Sequence, residues 1–269
     1  MNLLCVDIGN TSIATCQTSN KELGEIIRFP SNGNFISLLS KYNISSIDKV
    51  VLCSVVPEFT KILIEYCGIN TIDLFEIDYN NAQINLCIDE PSEVGNDRIC
   101  NIVGAKKLYN TESIVIDFGT ATTYDLIDNT GNFMGGAIAP GIDISADYLI
   151  QRTALLKDTI YKFPKNVIGK NTISNIQSGV MYGGLGSVEK MIKLIQEETK
   201  NPEIKIIITG GFGLLISDAL QIQHSYIETL KLHQSFDVIH KLGPSAEPQD
   251  VPTHLRHYAT MQAQMEFSD

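Results

Sequence analysis

Short apolar runs separated by polar, glycine-bearing turns set the pattern of this chain. Asn2–Val6 predicts a strand, followed by the tight turn Asp7-Ile8-Gly9-Asn10-Thr11. Ser12–Gln17 and Glu25–Phe29 predict two more strands, and Phe35–Tyr42 has helical spacing. The β-branched run Lys49–Val55 predicts a buried strand, and Pro57 opens a helix to Tyr66. The second half starts in the same way. Ser113–Ile116 predicts a strand, Asp117-Phe118-Gly119-Thr120 a turn, and Ala121–Ile127 a returning strand. Asp128–Asn132 has the composition of a hairpin turn, leading to a strand at Phe133–Ala139. Helices are expected at Ile142–Arg152 and from Ile173 to Thr199. A buried strand at Lys205–Thr209 then runs into Gly210-Gly211, with a further helix at Leu214–Leu220.

A strand, an Asp-x-Gly turn bearing threonine, and a returning strand thus occur at residue 7 and again at residue 117. Two diverged copies of one supersecondary unit predict a duplicated, two-domain α/β protein. The expected division is 1–112, 113–243 and a tail, 244–269, to which no chemistry is assigned.

Composition narrows the function classes. The chain has 269 residues, enough for a sizeable core, with 43% apolar and 19% charged residues, which argues against disorder. Its net charge of −11 repels phosphate backbones. No basic patch offsets this, since Lys106-Lys107 is an isolated pair and Lys162, Lys165 and Lys170 are scattered. Nucleic acid is therefore not an expected partner. No run approaches the length needed to cross a bilayer, and Met1–Asp7 reads as a first strand, so the expectation is a cytoplasmic protein with no membrane partner. Six cysteines, all in the first hundred residues and none in a C-x-x-C pair, predict buried reduced thiols, with a zinc or disulfide set as the alternative.

Four segments are candidates for chemistry. In Asp7–Thr11 the glycine lets backbone N–H groups approach phosphate oxygens, and the carboxylate suits Mg2+. A plain hairpin uses the same residues. Asp117-Phe118-Gly119-Thr120-Ala121-Thr122-Thr123 places hydroxyls beside a carboxylate, a set suited to phosphate or an oxygen-liganded cation, although threonines also favour strands. Thr209-Gly210-Gly211 offers bare backbone to a flat group such as adenine, or simply a helix entry. In Glu93-Val94-Gly95-Asn96-Asp97-Arg98, at an expected helix start, Asp97 is a candidate general base and Arg98 a carboxylate or phosphate contact; both are otherwise solvated first-turn charges.

Together these segments resemble the type III pantothenate kinases of the acetate and sugar kinase, heat-shock chaperone and actin superfamily. The resemblance spans about Met1 to Leu232. It also rests on Gly135-Gly136-Ala137-Ile138-Ala139-Pro140-Gly141 with Ser145, and on Gly169-Lys170-Asn171-Thr172 leading to Gln177-Ser178-Gly179. It implies two duplicated ribonuclease-H-like (actin-like ATPase) domains, mixed sheets flanked by helices, with a nucleotide cleft between them. It implies ATP-dependent phosphorylation of pantothenate to 4'-phosphopantothenate, the first step of coenzyme A biosynthesis. Asp7, Ile8, Gly9, Asn10, Thr11, Ser12, Ile13 and Ala14 would bind ATP phosphates, with Asp7 near Mg2+, and Thr120 would contact ATP. Asp97 would be the catalytic base, Gly95, Asn96, Asp97 and Arg98 would line the pantothenate site with Thr172, and Asp117 would ligate K+ or NH4+. A homodimer is implied, with Thr172 serving the neighbouring subunit's site. The chain departs from the family pattern at Ile88, where tyrosine is common, and at Asn96, where a small residue is common. The rivals are a non-catalytic, transcription-related regulator on the same scaffold, or another small-molecule kinase or a phosphatase of the superfamily.

Overall fold

The computed structural model describes residues 2–19, 22–31, 35–82, 84–151 and 161–228. Expectations that fall on 229–269, including the tail, lie outside the described residues. In chain order the elements are β1 (Leu3–Ile8), β2 (Ser12–Ser19), β3 (Glu22–Pro30), α1 (Phe35–Leu39), β4 (Lys49–Ser54), α2 (Pro57–Ile69) and β5 (Asp73–Glu76). There follow α3 (Asn96–Tyr109), β6 (Ser113–Phe118), β7 (Ala121–Ile127), β8 (Phe133–Pro140), α4 (Ile142–Gln151), α5 (Thr172–Thr199), β9 (Lys205–Thr209), α6 (Gly213–Ala219) and β10 (Ser225–Tyr226).

Two five-stranded sheets result. The first has the order β3-β2-β1-β4-β5 and the second, read from its other edge, β8-β7-β6-β9-β10. These are the same order, so the duplicated unit extends well beyond the Asp-x-Gly turns. In the first sheet β1–β2 and β2–β3 are antiparallel, whereas β1–β4 and β4–β5 are parallel. Local chemistry explains the split: antiparallel neighbours are joined by short turns, and each parallel neighbour needs a crossover. The central strands are apolar on both sides, as expected of strands covered on two faces. Leu4, Val6, Ile8, Val50 and Leu52 are buried with Leu38, Leu39 and Leu63 from α1 and α2. In the second sheet all of β6 and most of β9 are buried.

The chain divides into two compact units, one formed by Met1–Val115 with Asp125–Ala137, the other by Ile116–Tyr124 with Ile138–Glu228. Both include residues of β6, β7 and β8.

Several expectations are corrected. The first helix ends at Leu39, short of Tyr42. Two strands, β5 and β10, were not anticipated; four and two residues long, they give little period-2 signal. Residues 85–87 also lie alongside β8, with Cys87 N–H donating to Phe133 O at 2.8 Å and Phe133 N–H to Asn85 O at 2.9 Å. Glu93 does not open the long helix. Pro91–Glu93 is a separate 3-10 turn, and α3 begins after Gly95. Of the six cysteines Cys5, Cys16, Cys53, Cys67 and Cys100 are buried thiols, but Cys87 is exposed.

Candidate active site

Within the first unit, two predicted segments meet at one end of β4. Strand β1 carries Asp7 and Ile8 in register with Cys53 and Ser54 of β4. The turn after β1 closes with Gly9 N–H donating to Ser12 O at 3.0 Å. A side chain at Gly9 would begin 3.1 Å from that oxygen, so the glycine permits the close approach. Ser31, just past β3, donates its hydroxyl to Gly9 O at 2.8 Å and its N–H to Thr11 O at 2.9 Å. Asp7 is half-buried, and Asn10 and Thr11 are exposed. Ile8, Ile13 and Ala14 are core side chains, so only their backbones are available to a ligand.

The Gly95–Arg98 segment reaches the same end of β4. Asn96 Nδ2 donates to Ser54 O at 3.2 Å, and a side chain on Gly95 would begin 2.6 Å from Asp97 Oδ1 and 3.8 Å from Val55 Cγ1. Asp97 sits in the first turn of α3, where the helix dipole favours a carboxylate, and accepts Arg98 N–H at 2.8 Å. Ser54, not singled out in the sequence, is thus the joint between the two segments. Its hydroxyl accepts from Thr60 Oγ1 at 2.7 Å. The only sequence cue to it is a buried strand ending in a hydroxyl just ahead of a Pro-initiated helix. Beside it, Ser54–Pro57, Thr60, Lys61, Ile64, Glu65 and Glu76 line a cavity of about 490 Å³. There, burial and then the Asp78 charge push the Glu76 carboxyl up from its ordinary value.

Arg98 is held from below. Its Nε and Nη2 donate to Asp125 Oδ1 at 2.9 and 2.5 Å, and its guanidinium carbon lies 5.4 Å from the Phe133 ring centre. Asp125, fully buried on β7, was not singled out either; within the threonine-rich run it looks like one more strand position. Ile88 faces the strand just beyond: a side chain on Gly135 would begin 3.8 Å from Ile88 Cγ2.

The second unit holds the other predicted residues. Asp117 is buried at the end of β6, while Thr120 is exposed in the turn, which closes with Gly119 N–H donating to Ala121 O at 3.1 Å. Gly210, at φ +91°, brings bare backbone against this turn: a side chain there would begin 2.4 Å from Asp117 Oδ1 and 2.6 Å from Phe118 O. Gly141 is equally close, 2.6 Å from Gly119 O and Thr120 O by the same measure, and donates its N–H to Thr120 O at 3.1 Å. Thr172 is exposed at the first position of α5, beside Asn171, which caps the helix by accepting Ser174 N–H at 2.9 Å.

Paired sheets of identical strand order, each with an Asp-x-Gly turn at the end of its first strand, define an actin-like ATPase fold of the sugar-kinase kind. Residues 3–194 match the family model of type III pantothenate kinases. A type III pantothenate kinase of Desulforapulum autotrophicum is 40% identical over 233 residues, covering 81% of this chain and 88% of that protein. The one from Agathobacter rectalis is 36% identical over 245 residues, 86% and 94% of the two chains. The chain belongs to the type III pantothenate kinase family. Among solved structures it resembles a conserved chain from Campylobacter jejuni described as a Baf family transcriptional activator, at TM-score 0.59 and 19% identity over 88% of this chain and 96% of that one. It also resembles a 2-dehydro-3-deoxygalactonokinase-like protein from Sinorhizobium meliloti, at TM-score 0.57 and 11% identity over 92% and 100%. At those identities the likeness concerns the fold alone.

Proposed function

We propose that this chain transfers the γ-phosphoryl group of ATP to the primary hydroxyl of pantothenate, giving 4'-phosphopantothenate and so opening coenzyme A biosynthesis. Family membership carries the reaction and its substrate. The observation that carries the site is the meeting of the Asp7 turn and the Asp97 helix start on Ser54–Val55. Phosphoryl transfer requires mainly positioning and neutralisation of charge. In this reading the backbone of Asp7–Ala14 cradles ATP phosphates and Thr120 adds a contact to ATP. Gly95–Arg98 and Thr172 hold pantothenate, and Asp97 takes the hydroxyl proton as that oxygen attacks phosphorus.

Two cations belong to the proposal. Asp7, a carboxylate at a strand end, suits Mg2+, a hard ion that accepts one or two carboxylates alongside phosphate oxygens. The Asp117 carboxylate, buried at the end of β6 beside the threonine-bearing turn, suits an oxygen-liganded monovalent cation, K+ or NH4+. When bound, these ions supply counter-charge to the phosphates. A homodimer is proposed because the second unit exposes Ile138, Tyr148, Leu149, Val167, Ile168 and Ile173, more large apolar side chains than isolated surface residues explain. Among the described residues no helix is long and apolar enough to cross a membrane; the cytoplasmic placement we propose rests instead on the ATP-dependent reaction of the family. The duplicated domains are assigned to 1–112 and 113–243, because the strands of the first sheet end at Glu76 and those of the second start at Ser113.

The test is ADP release on adding pantothenate, with and without K+. Pantothenate-dependent release that rises with K+, and an Asp117→Asn variant that has lost the K+ response, are the expected results. ADP release indifferent to pantothenate would overturn the substrate; a K+ response intact in Asp117→Asn would move the cation elsewhere.

A further inference from the structure

Arg98, placed above in the pantothenate site, is paired with Asp125, to which the reaction as described gives no role. Asp125 is 0% exposed, and a carboxylate so far from water is costly unless a cation answers it. Arg98 answers with two donors on one oxygen, at 2.9 and 2.5 Å, while Phe133 lies against its guanidinium. Those contacts use the Nε–Nη2 edge. Arg98 keeps 15% of its side chain exposed, and Nη1 takes no part in the two bonds to Asp125. Its backbone N–H meanwhile binds Asp97 Oδ1 at 2.8 Å. A single residue therefore connects the proposed base to a buried anchor on β7.

We infer that Asp125 is a positioning residue: it fixes the Arg98 guanidinium before substrate arrives, so that the remaining edge meets the carboxylate of pantothenate in one orientation. The inference rests on the pantothenate reading above and deepens it. A free arginine side chain loses substantial rotamer entropy when a ligand fixes it. Here much of that ordering is complete in the folded protein, and the Asp125 charge is spent on orientation rather than on the substrate. The second Asp125 function, neutralising a buried arginine, is inseparable from the first; the carboxylate dependence of binding separates them from a purely structural role.

The experiment compares Asp125→Asn with the wild type on two ligands: pantothenate, and its alcohol analogue in which hydroxymethyl replaces the carboxylate. Asn keeps the side-chain shape and an acceptor but removes the charge. Losing one oriented contact to a charged group predicts a KM for pantothenate raised about tenfold or more, with the KM or Ki of the alcohol nearly unchanged. Equal effects on both ligands, or no effect on either, would overturn the inference. A wild type without pantothenate-dependent ADP release would instead overturn the function on which it rests. Should Asp125→Asn not fold, the wild-type protein still decides through the Arg98 Nε–H resonance. A proton protected from water exchange in the substrate-free enzyme, and unchanged on adding pantothenate, is expected; exchange at the rate of an exposed arginine would reject a preformed anchor.

Discussion

The two Asp-x-Gly turns are copies of one device that have been finished differently. In both, the third strand ends in proline, Pro30 or Pro140, and the next residue donates its N–H to a turn threonine: Ser31 to Thr11 O at 2.9 Å, Gly141 to Thr120 O at 3.1 Å. In both, the residue after the fifth strand binds back to the fourth: Ile77 to Leu52 O and Ile227 to Ile208 O, each at 2.8 Å. That match aligns Ser54 with Gly210. The first turn is one residue longer, since Asn10 and Thr11 lie between the bonded Gly9 and Ser12 where Thr120 alone lies between Gly119 and Ala121. Around it stand hydroxyls and the Asp97 helix start. Around the second turn stand Gly141 and Gly210, with no room for a side chain on either. The same topology thus yields one turn surrounded by hydroxyls and a carboxylate-bearing helix start, and another closed in by bare backbone.

The sharpest way to break this comparison is Asp97→Asn, since among the described residues the second copy shows no counterpart of the Asp97 helix start. Loss of a general base predicts a fall in kcat of about 10²–10⁴-fold, with little change in Tm. A kcat near that of the wild type would remove the chemical distinction between the copies. The aligned pair Ser54 and Gly210 gives the next test. Gly210→Val forces a side chain into the Asp117–Phe118 backbone at φ +91°, which predicts a loss of roughly 3 kcal/mol or more. Ser54→Val removes the hydroxyl that Thr60 binds and predicts only about 1 kcal/mol. Thermal melts that rank the two variants equally would show that the backbone packing of the second copy is not special.

The smallest effect is expected at the β7–β8 turn, where Asp128 accepts from Thr130 and Asn132. Burial, the largest single influence, pushes its carboxyl up, but the several bonds from Asn132 and Thr130 together outweigh it and hold the carboxyl down at about 2. A folded-state pKa below the unfolded value of 3.8 gives stability that is present above pH 3.8 and is lost as pH falls toward 2. Asp128→Ala should therefore lower Tm modestly at neutral pH, and the gap from the wild type should narrow in acid. A gap that widens in acid would contradict the sign. The equivalent turn of the first copy includes residues 20 and 21, outside the described residues.

Much of the fold is legible from local pattern. Strands β1, β2, β4, β6, β7, β8 and β9 stand out because each is a buried or alternating run bounded by turn residues, and long α5 because its apolar period is sustained. Edge strands β5 and β10 do not, since two to four residues carry no period and owe their conformation to the neighbour they pair with. Among site residues, Asp7, Asp97 and Asp117 are visible because a carboxylate beside glycine at a strand or helix end is a local feature. Ser54 and Asp125 are not: each is an ordinary strand residue whose importance comes from a partner 42 or 27 positions away.

The amino-acid order alone therefore determined the duplicated units, the carboxylate-bearing turns and the family, since all three are written in short stretches whose chemistry is local. Only the tertiary structure decided that β4 joins the Asp7 turn to the Asp97 helix, that Arg98 is clamped by Asp125, and that Gly210 must be glycine. Those facts depend on which surfaces meet when distant strands pair, and a contact formed by closing a long loop leaves no periodic trace in the residues at its two ends.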